Sequence, residues 1–181
     1  MNKILSVGST FPEFNKKAVV SSDPGKEFTE LTLDKCLENG NWMVLFWWPM
    51  DFTFVCPTEI ETFNKYFKEF NERKATLVGA STDTEYSHLA WRSSHPGLKQ
   101  LHFPMLADTS KSLAEELGIL ENERKVAYRV TYIVDPKGII RHVSVNDLSA
   151  GRNVEEVIRM LDALQTDKLT PCGWVKGEET L

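Results

Sequence analysis

The chain reads as a single α/β domain, a central mixed β-sheet flanked by helices, and three observations predict it. First, an apolar run of strand length at 43–48 is followed by Ile60, Phe63, Phe67 and Phe70 at helical spacing, then by a second apolar run at 76–80. Strand, helix, strand in that order makes a βαβ unit with a parallel sheet. Second, the segments 126–134 and 139–145 flank Asp135-Pro136-Lys137-Gly138 and read as an antiparallel hairpin. Third, 181 residues at 41% hydrophobic suffice for one full core but not for two ordinary domains.

Taken in order, Phe11-Pro12-Glu13-Phe14 predicts a strand or an extended lead-in, and Ser21-Ser22-Asp23-Pro24-Gly25-Lys26 a turn, both at the edge of the fold. A short helix through Leu31, Leu33 and Lys35 ends near Asn39-Gly40, and Cys36 within it reads as a packing residue. The strand at 43–48 is bounded by Asn39-Gly40-Asn41 and by Pro49. The next helix runs over 57–71, with Cys56 at its N-cap and Pro57 at its first position, where a missing N–H is tolerated. Ser81-Thr82-Asp83-Thr84 offers caps for a helix from Glu85, which Ser93-Ser94-His95-Pro96-Gly97 ends. A short extended piece at 103–106 and a short helix at 110–117, closed by Gly118, lead to the hairpin. The last helix carries Val154, Val157, Ile158, Leu161 and Leu164 on one face, with Asn153 as cap. Beyond Thr166 the pattern stops, so the chain divides into a domain, 1–165, and a mobile C-terminal tail, 166–181, that contains Cys172.

Composition removes several classes of function. A net charge of −5 with no dense basic run argues against a nucleic-acid surface. The first eight residues hold too few apolar side chains for a signal peptide, and no segment approaches the ~18 apolar residues of a membrane span, so the expected compartment is the cytoplasm. Cys36, Cys56 and Cys172 lie far apart without a Cys-x-x-Cys pair, which disfavours zinc.

Cys56 stands where a strand hands over to a helix. The first N–H groups of a helix lack internal partners and the macrodipole is positive there, which favours a thiolate over a thiol. Thr53, three residues earlier, can offer its hydroxyl to the sulfur or to an oxygen bonded to it. Ionisation alone makes no powerful catalyst, because nucleophilicity falls along with thiol basicity. Donors that align and polarise a substrate are needed as well.

The pattern Pro49-x-x-x-Thr53-x-x-Cys56, inside Asp51-Phe-Thr-Phe-Val-Cys-Pro-Thr-Glu59, resembles the peroxidatic motif of the peroxiredoxins, most of all the alkyl hydroperoxide reductase C type, the typical two-cysteine peroxiredoxins. The likeness extends through Ser87-His88-Leu89-Ala90-Trp91, Arg129 to Pro136, Asn146-Asp147-Leu148 with Gly151-Arg152, and Thr170-Pro171-Cys172 with Trp174. It implies a thioredoxin-like fold with peroxiredoxin additions, and a thiol peroxidase with neither metal nor other cofactor. In that reading Cys56 attacks hydrogen peroxide, an organic hydroperoxide or peroxynitrite, Pro49 shields the pocket and Thr53 hydrogen-bonds the peroxide. Arg129, expensive within a strand unless paired, holds the thiolate and polarises the peroxide. Glu59 orients that arginine, and Arg152 is a second arginine of the same network.

The resemblance further implies that Cys172 resolves the Cys56 sulfenic acid of a neighbouring protomer as a disulfide. A dithiol protein, thioredoxin-like or a flavoprotein disulfide reductase, would then reopen it. It also implies a homodimer and a decameric ring of such dimers. Trp47-Trp48-Pro49 departs from the family's Phe-Tyr-Pro. Ser94-His95-Pro96-Gly97 replaces the Gly-Gly-Leu-Gly of peroxide-sensitive members, and the chain ends at Leu181 without their Tyr-Phe helix, so resistance to excess peroxide is expected. An oligomeric chaperone or redox relay is the competing reading. A thioredoxin-like exchanger is disfavoured because neither position 53 nor 59 is cysteine.

Overall fold

The computed structural model describes residues 3–181, so Met1 and Asn2 of the N-terminal stretch considered for a signal peptide lie outside the described residues. Alternation and apolar runs produce seven strands: β1 (Asn15–Val19), β2 (Phe28–Thr32), β3 (Trp42–Trp47), β4 (Ala75–Ser81), β5 (Met105–Ala107), β6 (Arg129–Val134) and β7 (Ile140–Asn146). They form one mixed sheet in the order β2-β1-β5-β4-β3-β6-β7. β3, β4 and β5 are mutually parallel, as the βαβ reading requires, while β6 runs antiparallel to β3 and pairs with β7 as the expected hairpin. The central strands β3 and β6 are buried almost throughout and, apart from Arg129 and Thr131 of β6, largely apolar, whereas β7 at the edge is only half-buried.

Among the described residues six α-helices complete the fold, α1 (Leu33–Cys36), α2 (Val55–Lys65), α3 (Phe67–Glu72), α4 (Glu85–Ser94), α5 (Ser112–Glu116) and α6 (Val154–Gln165), with single 3-10 turns at Glu38–Gly40 and Pro96–Leu98. Thr84 and Asn153 cap α4 and α6 by accepting from the backbone N–H three residues on. Side-chain alternation along the sheet divides the core. Met43, Leu45 and Trp47 face Cys36, Leu113 and Tyr132, while Val44, Phe46 and Trp48 face Ile60 and Phe63 of α2, Trp91 of α4 and Leu161 of α6. Gly79 on β4 lets the second layer close: a Cβ there would stand 2.7 Å from the Trp48 ring and 3.0 Å from Phe46. None of the helices among the described residues is long and apolar enough to cross a membrane.

The structure corrects the sequence reading in several places. Of the two readings of 11–14, the extended lead-in is the one found: β1 begins only at Asn15, and Phe11 and Phe14 place their rings in the core, Phe11 against both Phe14 and Tyr132. The helix expected over 57–71 is two helices, broken at Tyr66, where the Asn64 side chain turns away to donate to Gln100 and accept from the His102 backbone. The N-cap is Phe54, so Cys56 is the second helical residue and Pro57 the third. That third N–H is still one without an intrahelical partner, so proline costs no hydrogen bond there. The tail has no helix or strand, yet it is docked rather than loose. Trp174 is 4% exposed, its carbonyl accepts from Arg159 of α6 at 2.9 Å, and Lys176 pairs with Asp162 at 3.2 Å.

Candidate active site

β3 delivers the chain to the carboxyl edge of the sheet, where the loop 48–54 turns it into α2. A dense polar network holds that loop. Asp51 accepts from Trp48 Nε1 at 2.8 Å and from Ser87 Oγ at 3.1 Å, and lies 2.7 Å from His88 Nδ1. The other His88 nitrogen faces the Leu106 carbonyl at 3.2 Å, and the Asp51 backbone N–H donates to Asp83 at 3.0 Å. Burial with Asp51 nearby raises the Asp83 carboxyl above its usual value. The motif segments at 48–51 and 87–91 are thus two halves of one clamp. Phe52 takes a positive φ of 56° to complete the turn.

At the end of the loop, Cys56 is 1% exposed. Its sulfur accepts from Arg129 Nη1 at 3.3 Å, and the same nitrogen donates to Glu59 Oε2 at 2.7 Å. Arg129 Nε donates to the Leu148 carbonyl at 2.8 Å, so the guanidinium is fixed at three points. Arg152 grips Glu59 from the other side: its backbone N–H and Nε donate to Oε1 at 3.0 and 2.8 Å, and Nη2 donates to Oε2 at 2.9 Å. Its guanidinium lies 5.3 Å from the Phe46 ring and 5.6 Å from Phe63, which stack on each other at 3.8 Å. Asn146 steadies the 147–151 loop through the Ala150 and Gly151 carbonyls, both at 3.2 Å.

Four donated hydrogen bonds fill the acceptor capacity of the Glu59 carboxylate. The cluster of two guanidinium groups and one carboxylate, each side chain no more than 5% exposed, carries one excess positive charge. A buried excess charge is costly, and a thiolate at Cys56 is the group placed to neutralise it. Burial works against the charge on both arginines. At Arg129 the hydrogen bond and charge of Cys56, with Glu59, outweigh it and hold the group above its usual value. At the more enclosed Arg152, burial wins over Glu59 and the value falls.

A cavity of about 160 Å³ opens onto the sulfur. Pro49, Thr53, Cys56 and Arg129 all line it, with Met50, Phe54, Val55 and Leu148 supplying apolar wall. The Thr53 hydroxyl donates to the Met50 carbonyl at 2.9 Å, which leaves its oxygen as an acceptor towards the cavity rather than a donor to sulfur. Glu59 and Arg152 stand behind the sulfur and do not reach the cavity. Sequence reasoning missed one lining residue, Arg124. Nothing in the polar stretch 121–125 marks it, since it reaches the cavity only because the Leu120–Ala127 bridge folds that stretch back. Cys36 and Cys172 do not line this cavity: Cys36 is buried on the other face of the sheet, and Cys172 is exposed in the tail.

Comparison with known proteins places the chain among relatives of one family. Residues 7–143 match the AhpC/TSA family. Alkyl hydroperoxide reductase C of Mycobacterium tuberculosis is 47% identical, over 98% of this chain and 94% of that protein. Peroxiredoxin TSA1 of Saccharomyces cerevisiae is 44% identical, over 98% and 91%. Among solved structures, the reduced 2-Cys peroxiredoxin of Plasmodium vivax superimposes with a TM-score of 0.89 at 33% identity, covering 97% of this chain and 92% of that one. AhpC of M. tuberculosis gives 0.86 at 45%, covering 95% and 99%.

Proposed function

The chain belongs to the AhpC/TSA family and is a peroxiredoxin-type peroxidase, and we propose that Cys56 is its peroxidatic residue, attacking the terminal oxygen of hydrogen peroxide, an organic hydroperoxide or peroxynitrite. The observation that carries the assignment is the 3.3 Å hydrogen bond from Arg129 to the sulfur, beside a small cavity with room for a hydroperoxyl group. In the attack a sulfur–oxygen bond forms as the O–O bond breaks, and the leaving oxygen departs with a proton as water or alcohol. Arg129 stabilises negative charge as it passes from sulfur to that oxygen, with the thiolate and the developing oxyanion sharing its donors. The Thr53 oxygen accepts from the peroxide O–H and so orients it. Pro49 closes the wall against water. Glu59 and Arg152 are positioning residues that hold Arg129 and balance its charge.

The sulfenic acid left on Cys56 needs a thiol partner, and Cys172, exposed in the tail, is the candidate. Because Cys56 is buried, condensation requires the first turn of α2 and the Pro171–Trp174 turn to open, which gives the docked tail a reason to lack regular structure. The likeness to two-cysteine relatives supports a bridge between protomers and hence a homodimer, with dimers arranged in a decameric ring. Exposed Phe52, Phe54 and Met50, and the exposed Phe28–Tyr86 pair, supply apolar surface for such assembly. A dithiol protein in the cytoplasm would return the disulfide to thiols by exchange.

Thiol-blocked gels after one equivalent of peroxide test the cycle. A dimer band that reductant removes, and that Cys56→Ser or Cys172→Ser abolishes, is the expected result. A wild type that stays monomeric while Cys56 becomes sulfenic would remove Cys172 from the cycle.

A further inference from the structure

Arg124 is the one cavity-lining residue that the peroxidase reading leaves without a task. Thr53, Cys56 and Arg129 perform the chemistry, and the other lining side chains are apolar or, like Pro49, exclude water. Arg124 is exposed to solvent, and its guanidinium joins none of the ion pairs found among the described residues. Its backbone is nevertheless well held. The Glu121 carboxylate accepts from the N–H groups of Glu123 at 3.1 Å and Arg124 at 2.7 Å, and the Glu121 N–H donates to the Val126 carbonyl at 2.9 Å. Those backbone donors occupy the nearby acid, which feels the Arg124 charge but makes no ion pair with it, so the guanidinium keeps its donors free at the cavity.

The charge balance makes this cation informative. Arg129 and Arg152 are offset by Glu59 and a Cys56 thiolate, so the inner site is neutral in the reactive state, and Arg124 adds a cation outside any ion pair at its mouth, with Glu121 behind it. A volume of about 160 Å³, with a water occupying about 30 Å³, admits roughly five heavy atoms. That is enough for a hydroperoxyl group with its carbon and near neighbours. Any further group of the substrate must sit at the rim, where Arg124 is.

We propose that Arg124 is a specificity-determining residue that receives the carboxylate of an organic hydroperoxide, so that the enzyme favours hydroperoxides carrying a carboxylate a few bonds from the O–O group over neutral ones of the same shape. The proposal rests on the peroxidase reading and sharpens it to a substrate class. A guanidinium offers two parallel N–H donors to a carboxylate, a geometry lysine cannot supply. Because the site is open to water, the gain is modest, about threefold to fivefold in kcat/KM, and it is screened by salt. The chemical step is the one already described, the carboxylate contact serving only to place the terminal oxygen over Cys56.

The test uses 3-hydroperoxy-3-methylbutanoate and its methyl ester, which differ in charge and little else near the O–O bond. The readout is the acid-to-ester ratio of kcat/KM, with hydrogen peroxide turnover confirming an intact site in each variant. The expected ratio is about threefold to fivefold in the wild type, near one in Arg124→Gln, below one in Arg124→Glu, and between the wild type and Gln values in Arg124→Lys. A wild-type ratio of one, or a ratio that Arg124→Glu leaves unmoved, overturns the proposal. Wild-type protein that consumes neither organic substrate nor hydrogen peroxide overturns it too, but by removing the peroxidase reading beneath it.

Discussion

Cys36 and Cys56 are equally hidden, at 0% and 1% exposed, each in or at the start of a helix packed on the same sheet, yet on opposite faces and in opposite electrostatic settings. Around Cys36 there is only apolar packing, and burial pushes its thiol up to about 12. A thiol in that state has almost no thiolate at neutral pH and no entry for a substrate. Around Cys56 stand Arg129 at 3.3 Å and, behind it, the Glu59–Arg152 pair. Burial alone silences a cysteine, whereas at Cys56 a buried guanidinium donates to the sulfur and a cavity gives a substrate access to it.

Removing the balance at Cys56 should have the largest effect. Glu59→Gln leaves Arg129 and Arg152 facing each other without a shared anion, and breaking a buried pair of this kind costs about 3–5 kcal/mol. The expected fall in Tm is on the order of 10 °C, readable by calorimetry, and a stability within about 0.5 kcal/mol of wild type would show that the cluster is not the structural centre described. Next comes Arg129→Gln, which keeps hydrogen-bonding capacity but removes the charge. The rate of Cys56 oxidation by hydrogen peroxide in stopped flow should drop about 10²–10³-fold, making Cys56 behave more like Cys36. The smallest effect tests burial without compensation at a third group. His142 on β7 is held below its usual value first by burial and then by Arg159, with Glu156 pulling the other way. Its folded value lies below the unfolded ~6.5. Its contribution is therefore complete above about pH 6.5 and declines as pH falls from there towards the folded value. Urea melts across pH 7 to 5 should show that decline in wild type and less of it in His142→Gln.

What can be read from sequence follows from where the signals are local. The run Met43 to Trp48, the Asp135–Gly138 turn and the caps Thr84 and Asn153 each depend on neighbours a few residues away, and the structure has each of them. β1 and β2 escape a sequence reading because Asn-Lys-Lys-Ala-Val and Phe-Thr-Glu-Leu-Thr have few buried positions, β2 forming the sheet edge and β1 joining it to β5 through only two residue pairs, and only that pairing reveals them. The break at Tyr66 has no Gly or Pro to mark it and lies beside Asn64, whose side-chain partner is 36 residues away, and the docking of the tail depends on Arg159 and Asp162 of α6. At the site, Cys56, Thr53, Pro49, Arg129, Glu59 and Arg152 are all legible in the sequence, but largely through the family motif. The physical reason they belong together, a carboxylate shared by two arginines from β6 and the loop before α6, is a tertiary fact. Arg124 has neither motif nor periodicity to announce it.

The most direct test of the contrast between the two buried thiols is to oxidise native protein with one equivalent of hydrogen peroxide, trap sulfenic acid with dimedone and locate the adduct by peptide mass spectrometry. The Cys172→Ser variant is used so that the sulfenic acid persists. The adduct is expected on Cys56, with Cys36 recovered as free thiol until the protein is unfolded. An adduct on Cys36 at comparable yield, or none on Cys56, would contradict the claim that the Arg129–Glu59–Arg152 cluster is what separates a reagent from a packing residue.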